Sequence, residues 1–206
     1  MTPLARIGVL ISGRGSNLQS IIDAVATGQL AATIAVVLSD RPDAAGLQRA
    51  RDAGIEALSL EPRDYPDRHA YDAALAETLR AREVTLVCLA GFMRRVGPPL
   101  LDAFPQRVLN IHPSLLPSFP GLDAQRQALE HGVRVTGATV HLVTSELDGG
   151  PIVMQAAVPV RSGDTVETLS ARVLVEEHRL YPQAIRLVLA AGWSVQGRRF
   201  MPAQTP

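Results

Sequence analysis

Ile7-Gly8-Val9-Leu10-Ile11-Ser12-Gly13-Arg14-Gly15-Ser16-Asn17-Leu18 is the stretch whose reading decides the fold. An apolar run, mostly β-branched, passes into a glycine-rich turn. From there Leu18, Ile21, Ile22 and Val25 recur at helical spacing. A strand with no polar alternation is covered on both faces, as strands are in parallel sheets flanked by helices.

The same grammar repeats outward from this unit. Thr33–Leu38, Thr85–Ala90 and Arg107–Ile111 read as buried strands, with a shorter one at Glu56–Leu60. Between them Asn17–Ala26, Ala44–Ala53 and Arg68–Arg82 read as helices. Ser16 or Asp43 is placed to cap a start, and Gly28 or Gly54 to end a helix. Strand and helix in regular order give right-handed crossovers and an α/β, doubly wound, mostly parallel sheet of Rossmann-like type. Beyond His112 the pattern changes. Pro113–Gly121 is too rich in proline for a helix or central strand and is expected as a loop, with Pro113–Leu122 acting as a lid. Leu122–His131 follows as a helix, and Val135–Val143 with Ile152–Val160 as an antiparallel strand extension. A long C-terminal helix spans Thr165–Ala191, capped by Asp164 or Thr165. Its buried stripe is Val166, Leu169, Val173, Leu180, Ile185 and Val188, and Pro182 is expected to kink it. With no repeat or linker, residues 1–206 are expected to form a single domain of two halves that divide near 105 and 106.

Composition narrows the chemistry. The chain has 206 residues, 47% of them hydrophobic, enough to bury a core without staples. Twenty basic residues balance twenty acidic ones, which leaves no electrostatic footprint for nucleic acid or an anionic membrane. All twenty basic residues are arginine. Without lysine there is no Schiff-base chemistry, no Walker-type phosphate loop and no Ser–Lys dyad. The single cysteine, Cys88, excludes an internal disulfide and fits a reducing, cytoplasmic compartment.

Three constellations remain. In Ser12–Asn17, glycines let backbone N–H groups approach an anion at a helix start, with Ser16 and Asn17 as side-chain donors. A monophosphate fits this turn best. Leu18 occupies the third glycine position of the dinucleotide fingerprint, while Asp40 keeps a ribose contact open, and a ligand-free turn is the third reading. Asn110 and His112, two apart on a strand, point the same way and offer two donors to an oxyanion; the plain reading is a histidine that caps a strand end. In Ser145–Pro151, Asp148 either reaches the strand end carrying His112 or belongs to an ordinary hairpin turn. His141 reads as a core histidine or a neighbour of that site. His69 and His131 sit on exposed helix faces, and no metal-ligand spacing occurs.

Taken together, Ile11-Ser12-Gly13-x-Gly15-Ser16-Asn17, Leu89-Ala90-Gly91-Phe92-Met93-Arg94, Asn110-Ile111-His112-Pro113-Ser114-Leu115-Leu116-Pro117 and Leu147-Asp148-Gly149-Gly150-Pro151 strongly resemble the phosphoribosylglycinamide formyltransferase family. The match runs in order from Ile7 to Tyr181. The resemblance implies the formyltransferase fold and formyl transfer from 10-formyltetrahydrofolate, a co-substrate, to the amine of glycinamide ribonucleotide in purine biosynthesis, with no metal. It further implies that Asn110, His112 and Asp148 are catalytic, with Asp148 favouring the charged form of His112. Gly15, Ser16, Asn17 and Glu177 then bind the nucleotide. Arg68, Met93, Arg94, Arg95, Val96 and Asn110 line the folate site. Small-molecule substrates, no nucleic acid, no membrane and a monomer or homodimer are the expected associations. Methionyl-tRNA formyltransferases add a C-terminal domain and the deformylases an N-terminal one, neither of which this chain is expected to carry. A formyltetrahydrofolate hydrolase and a nucleotide-binding protein without transfer activity stand as alternatives.

Overall fold

β1 (Ala5–Ile11), β2 (Ala32–Ser39), β3 (Ala57–Ser59) and β4 (Leu86–Leu89) lie in the order β3-β2-β1-β4, and every pairing among them is parallel. Ile7, Val9, Leu10 and Ile11 are wholly buried, as are Leu86, Val87 and Cys88. Coverage on both faces is why these strands carry no polar alternation. The computed structural model describes residues 4–203 of a chain that forms two compact units, 1–109 and 110–206.

In the first unit α1 (Ser16–Ala26), α2 (Ala45–Asp52) and α3 (Arg68–Arg80) connect the strands as expected. Their caps differ from the sequence reading. Gly15, not Ser16, holds the cap position of α1, at φ 70° and ψ 32°, and Ser16 becomes the first helical residue. Ala44 precedes α2 without a side-chain cap, because the Asp43 carboxylate is engaged by Arg41 at 3.1 Å. Asp67, not singled out from sequence, caps α3 by accepting the Ala70 N–H at 2.8 Å. Gly28 and Gly54 do end their helices, at φ 74° and 71°. α4 (Pro98–Ala103) was hidden by its two prolines, which are tolerated in a first turn that has no intrahelical N–H partner to lose.

The boundary between the units falls within β5 (Val108–His112). The second unit continues with α5 (Ala124–Glu130), β6 (Val135–Leu142), β7 (Ile152–Pro159), α6 (Val166–Leu189), β8 (Ser194–Gln196) and β9 (Arg199–Met201), its strands ordered β5-β6-β7-β9-β8. β6 and β7 pair antiparallel, as expected, and β9 runs parallel to β7. The β8–β9 hairpin escaped the sequence reading: three-residue strands show no periodicity. Trp193 stacked on Phe200, 5.0 Å between centroids, holds it closed. α6 packs on β6, β7 and α5. Its cap is Thr165, in a reciprocal box with Thr168, while Asp164 binds the Arg161 N–H and the Arg172 guanidinium. Leu169, Val173, Leu180, Ile185 and Val188 are buried, but Val166, in the first turn, is only partly so. The helix continues through Pro182 as one element. No helix among the described residues is long and apolar enough to cross a membrane.

Candidate active site

β5 delivers Asn110 and His112 to the same side of the strand end. His112 is 5% exposed, and its Nε2 lies 2.9 Å from the Phe119 carbonyl oxygen. A carbonyl only accepts, so Nε2 carries the proton and donates. Nδ1 faces Asp148 Oδ2 at 3.6 Å. The other carboxylate oxygen, Oδ1, lies 3.7 Å from His141 Nε2. Asn110 closes the cluster, its Nδ2 standing 3.2 Å from the same His141 nitrogen. His141 Nδ1 lies 3.0 Å from the Leu142 carbonyl, which only accepts, so Nδ1 carries a proton and donates there. The four side chains thus form a chain, Asn110 to His141 to Asp148 to His112.

The turn before β7 aims the carboxylate. Asp148 has φ 48°, a left-handed conformation that few residues other than glycine, asparagine and aspartate adopt. The two readings of this turn are therefore one: its unusual backbone is what directs the Asp148 side chain, which is 9% exposed, at the histidines. Gly121 N–H donates to Oδ2 at 2.8 Å. Burial alone would raise the Asp148 carboxyl, but His141, the Gly121 N–H and His112 together outweigh it and hold the group below the usual carboxylate range. For His112 burial wins. It pushes the imidazole below its ordinary value, although the Phe119 carbonyl and Asp148 both pull upward. Asp148 acts in the expected direction, yet the resting imidazole is neutral at pH 7.

The Pro113–Gly121 loop is tied down in its first half. Thr139 Oγ1 donates to the Ser114 carbonyl at 2.7 Å and accepts the Leu116 N–H at 3.1 Å, and Gln155 Nε2 donates to the Leu116 carbonyl at 2.9 Å. Phe119 and Gly121, at φ 55° and 81°, make its second half irregular, and Asp123, just before α5, has φ 56°. Glu177 is buried on α6 at 7% exposure.

The first unit holds the other predicted residues. Gly15 is the only residue type its place accepts, since a Cβ there would lie 2.6 Å from the Gly46 backbone Cα. Gly46 N–H donates to the Gly13 carbonyl at 2.9 Å, and Arg49 Nε to the Arg14 carbonyl at 2.9 Å. The start of α2 therefore moulds the turn that opens α1. Asn17 is buried beside it, Ser16 half-buried. Met93 N–H donates to Ser12 Oγ at 2.8 Å. Asp72, buried and with its carboxyl raised by that burial, accepts the Gly97 N–H at 2.7 Å and has Arg68 Nε 3.6 Å away. Arg94 lies over the Tyr71 ring at 5.6 Å. Met93 and Arg95 are exposed and Val96 is buried. Asp40 follows β2 directly, with one buried oxygen lacking a hydrogen-bond partner. No group of three His, Cys, Asp or Glu that could hold a metal occurs among the described residues.

Sequence reasoning left His141 between two roles, and the structure joins it to Asn110 and Asp148. Its spacing on β6 carries no signal of that. The Phe119 carbonyl and Gly121 N–H were invisible because backbone groups of an irregular loop leave no residue-type signature.

The formyl transferase family matches residues 5–185. The chain is 47% identical over 192 residues to the phosphoribosylglycinamide formyltransferase of Escherichia coli (strain K12), covering 93% of this chain and 88% of that protein. It is 48% identical over 184 residues to the trifunctional purine biosynthetic protein adenosine-3 of Bos taurus, covering 89% of this chain but spanning only 18% of that longer protein. Among solved structures, glycinamide ribonucleotide transformylase 1 from Symbiobacterium toebii superposes with a TM-score of 0.97 at 60% identity, covering 99% of this chain and 96% of that one.

Proposed function

Because the chain belongs to the formyl transferase family, we propose that it moves the formyl group of 10-formyltetrahydrofolate to the amine of 5'-phosphoribosylglycinamide, yielding 5'-phosphoribosyl-N-formylglycinamide and tetrahydrofolate in de novo purine (IMP) biosynthesis. The observation that carries the reading is the chain of Asn110, His141, Asp148 and His112 at the end of β5, in which both histidines are buried. The setting is the reducing cytoplasm, with a single buried cysteine.

The neutral amine attacks the formyl carbon, and the carbonyl π pair moves to its oxygen. Asn110 and His112 supply the donors that stabilise this oxyanion. The attacking nitrogen then loses a proton, the folate N10 gains one, the C–N10 bond breaks and the carbonyl re-forms. A neutral His112 is fitted to relay that proton, and the ionised Asp148 stabilises the imidazolium while it lasts. In the structure described here His112 spends its N–H on Phe119. Release of that carbonyl, by movement of the loop's second half, frees the donor for substrate. The first half stays pinned by Thr139 and Gln155.

Gly15, Ser16 and Asn17, at the start of α1, bind the ribonucleotide phosphate through backbone and side-chain donors, and Glu177 binds the same substrate. Arg68, Met93, Arg94, Arg95, Val96 and Asn110 line the folate site. The substrates are small molecules, with neither nucleic acid nor membrane involved, and the protein acts as a monomer or homodimer. The test is folate release from 10-formyltetrahydrofolate with and without the nucleotide, together with detection of the formylated product. Nucleotide-dependent transfer is expected. Release that ignores the nucleotide would make the protein a formyltetrahydrofolate hydrolase, and no release a nucleotide-binding protein without transfer activity.

A further inference from the structure

Ser12 is 6% exposed and stands one residue past the end of β1. Its N–H donates to the Gly91 carbonyl at 3.1 Å, and its hydroxyl oxygen accepts the Met93 N–H at 2.8 Å. One serine thus holds two backbone groups of a single turn. Gly91, at φ 75°, makes the bend that presents both groups to it. The ladder between β1 and β4 pairs Leu10 with Leu89 and ends with the Ala90 N–H on the Leu10 carbonyl at 2.8 Å. Beyond that point the Ser12 N–H makes one more backbone bond, to the Gly91 carbonyl, and the Ser12 hydroxyl then continues with the Met93 N–H. Backbone ladder bonds are fixed by strand register, whereas a hydroxyl bond depends on a rotamer and on the backbone that carries it. The residues that follow Ser12 are the turn Gly13–Asn17, and those that follow Met93 are Arg94, Arg95 and Val96.

We propose that Ser12 is a positioning residue that couples the two binding segments of the first unit. Closure of Gly13–Asn17 around the nucleotide phosphate fixes the Ser12 backbone and hydroxyl. That in turn holds Met93 and the residues after it in the arrangement that takes the folate. Linkage makes the effect mutual, so the folate must tighten the nucleotide by the same factor. The inference rests on the functional reading above and adds to it a residue that touches neither reacting group.

Calorimetric titration of glycinamide ribonucleotide and tetrahydrofolate, a pair that cannot react, tests it in the wild type, Ser12→Ala and Ser12→Thr. Each ligand is measured alone and with the other saturating, and a thermal scan confirms that each variant is folded. In the wild type each ligand tightens the other about fivefold or more. Ser12→Ala brings that factor close to one while each ligand alone binds nearly as before. Ser12→Thr, which keeps the hydroxyl, retains the factor. Wild-type protein that binds both ligands independently would overturn the proposal. So would an unchanged factor in Ser12→Ala, or an equal loss in alanine and threonine variants, which would mark a purely structural role. Failure of the wild type to bind either ligand would instead sink the functional reading, and the proposal with it.

Discussion

The chain Asn110–His141–Asp148–His112 and the turn Gly13–Asn17 are built in opposite ways. In the first, side chains carry the properties: two histidines flank one carboxylate, and burial and hydrogen bonding set which group holds a proton. In the second, backbone carries them. Gly15 at φ 70° abuts Gly46, and neighbouring carbonyls are held by Gly46 and Arg49. Substitutions in the first region should change the rate with little effect on the fold. In the second they should change affinity by way of the fold.

The largest effect should come from the first region. Asp148→Asn and His112→Ala are each expected to lower kcat by about 10²–10⁴-fold, the usual size of a lost acid–base or oxyanion contribution, with nucleotide affinity nearly unchanged. Steady-state kinetics beside nucleotide titration would check this. Loss of nucleotide binding with turnover preserved would dissolve the contrast between the regions.

Gly15→Ala comes next. An alanine at φ 70° costs about 1–2 kcal/mol, and its Cβ would press on the Gly46 backbone 2.6 Å away. Denaturant unfolding should show a loss of at least that size. KM for the nucleotide should rise by about tenfold or more while kcat at saturation holds, since the turn moulds affinity only. A fall in kcat of the size expected for Asp148→Asn would show that the turn also takes part in the chemistry.

Protonation sharpens the comparison further. Burial depresses His112, so its NMR titration midpoint should lie below about 6.5, the ordinary histidine value. In Asp148→Asn the upward pull of the carboxylate disappears, and the midpoint should fall again. For stability the sign follows from linkage. Between the ordinary value and the depressed native one, the unfolded chain binds more protons at this site, so stability is lost as pH falls through that window. The Asp148 carboxyl, also held low, adds its own loss at more acid pH, as the pH falls through its native value. A midpoint that rises in Asp148→Asn would mean that the carboxylate is not the ion facing His112.

Much of this was legible in the sequence, for reasons that differ by residue. The unbroken apolar runs at Ile7–Ile11 and Thr85–Ala90 betrayed parallel strands because double-sided burial leaves no room for polar alternation. Asn110 and His112 were found because period two on a strand is a strict geometric rule. Cap choice was less legible. Ser16 has the right side chain for a cap, but Gly15 has the right backbone freedom, and residue type alone does not rank them. The state of His112 was illegible. It turns on burial, which depends on how the loop at Phe119 folds over the ring, and no spacing encodes that.

The smallest effect expected, and the finest test of the contrast, lies at Arg49. This exposed arginine donates from Nε to the Arg14 carbonyl at 2.9 Å and from Nη1 to Gln19 Oε1 at 3.3 Å, so it spans the turn and the first helical residues after it. An exposed contact of this kind contributes little to stability, and Arg49→Ala should unfold within about 1 kcal/mol of wild type. Its influence on the turn is positional, so KM for the nucleotide should rise a few-fold with kcat and the folate KM untouched. Lysine lacks the planar fork that reaches two acceptors at once, so Arg49→Lys should resemble alanine more than arginine. If lysine restored full affinity, charge near the phosphate would be the contribution of this residue. The turn would then be partly electrostatic after all, closer in kind to the chain at the end of β5 than its backbone geometry suggests.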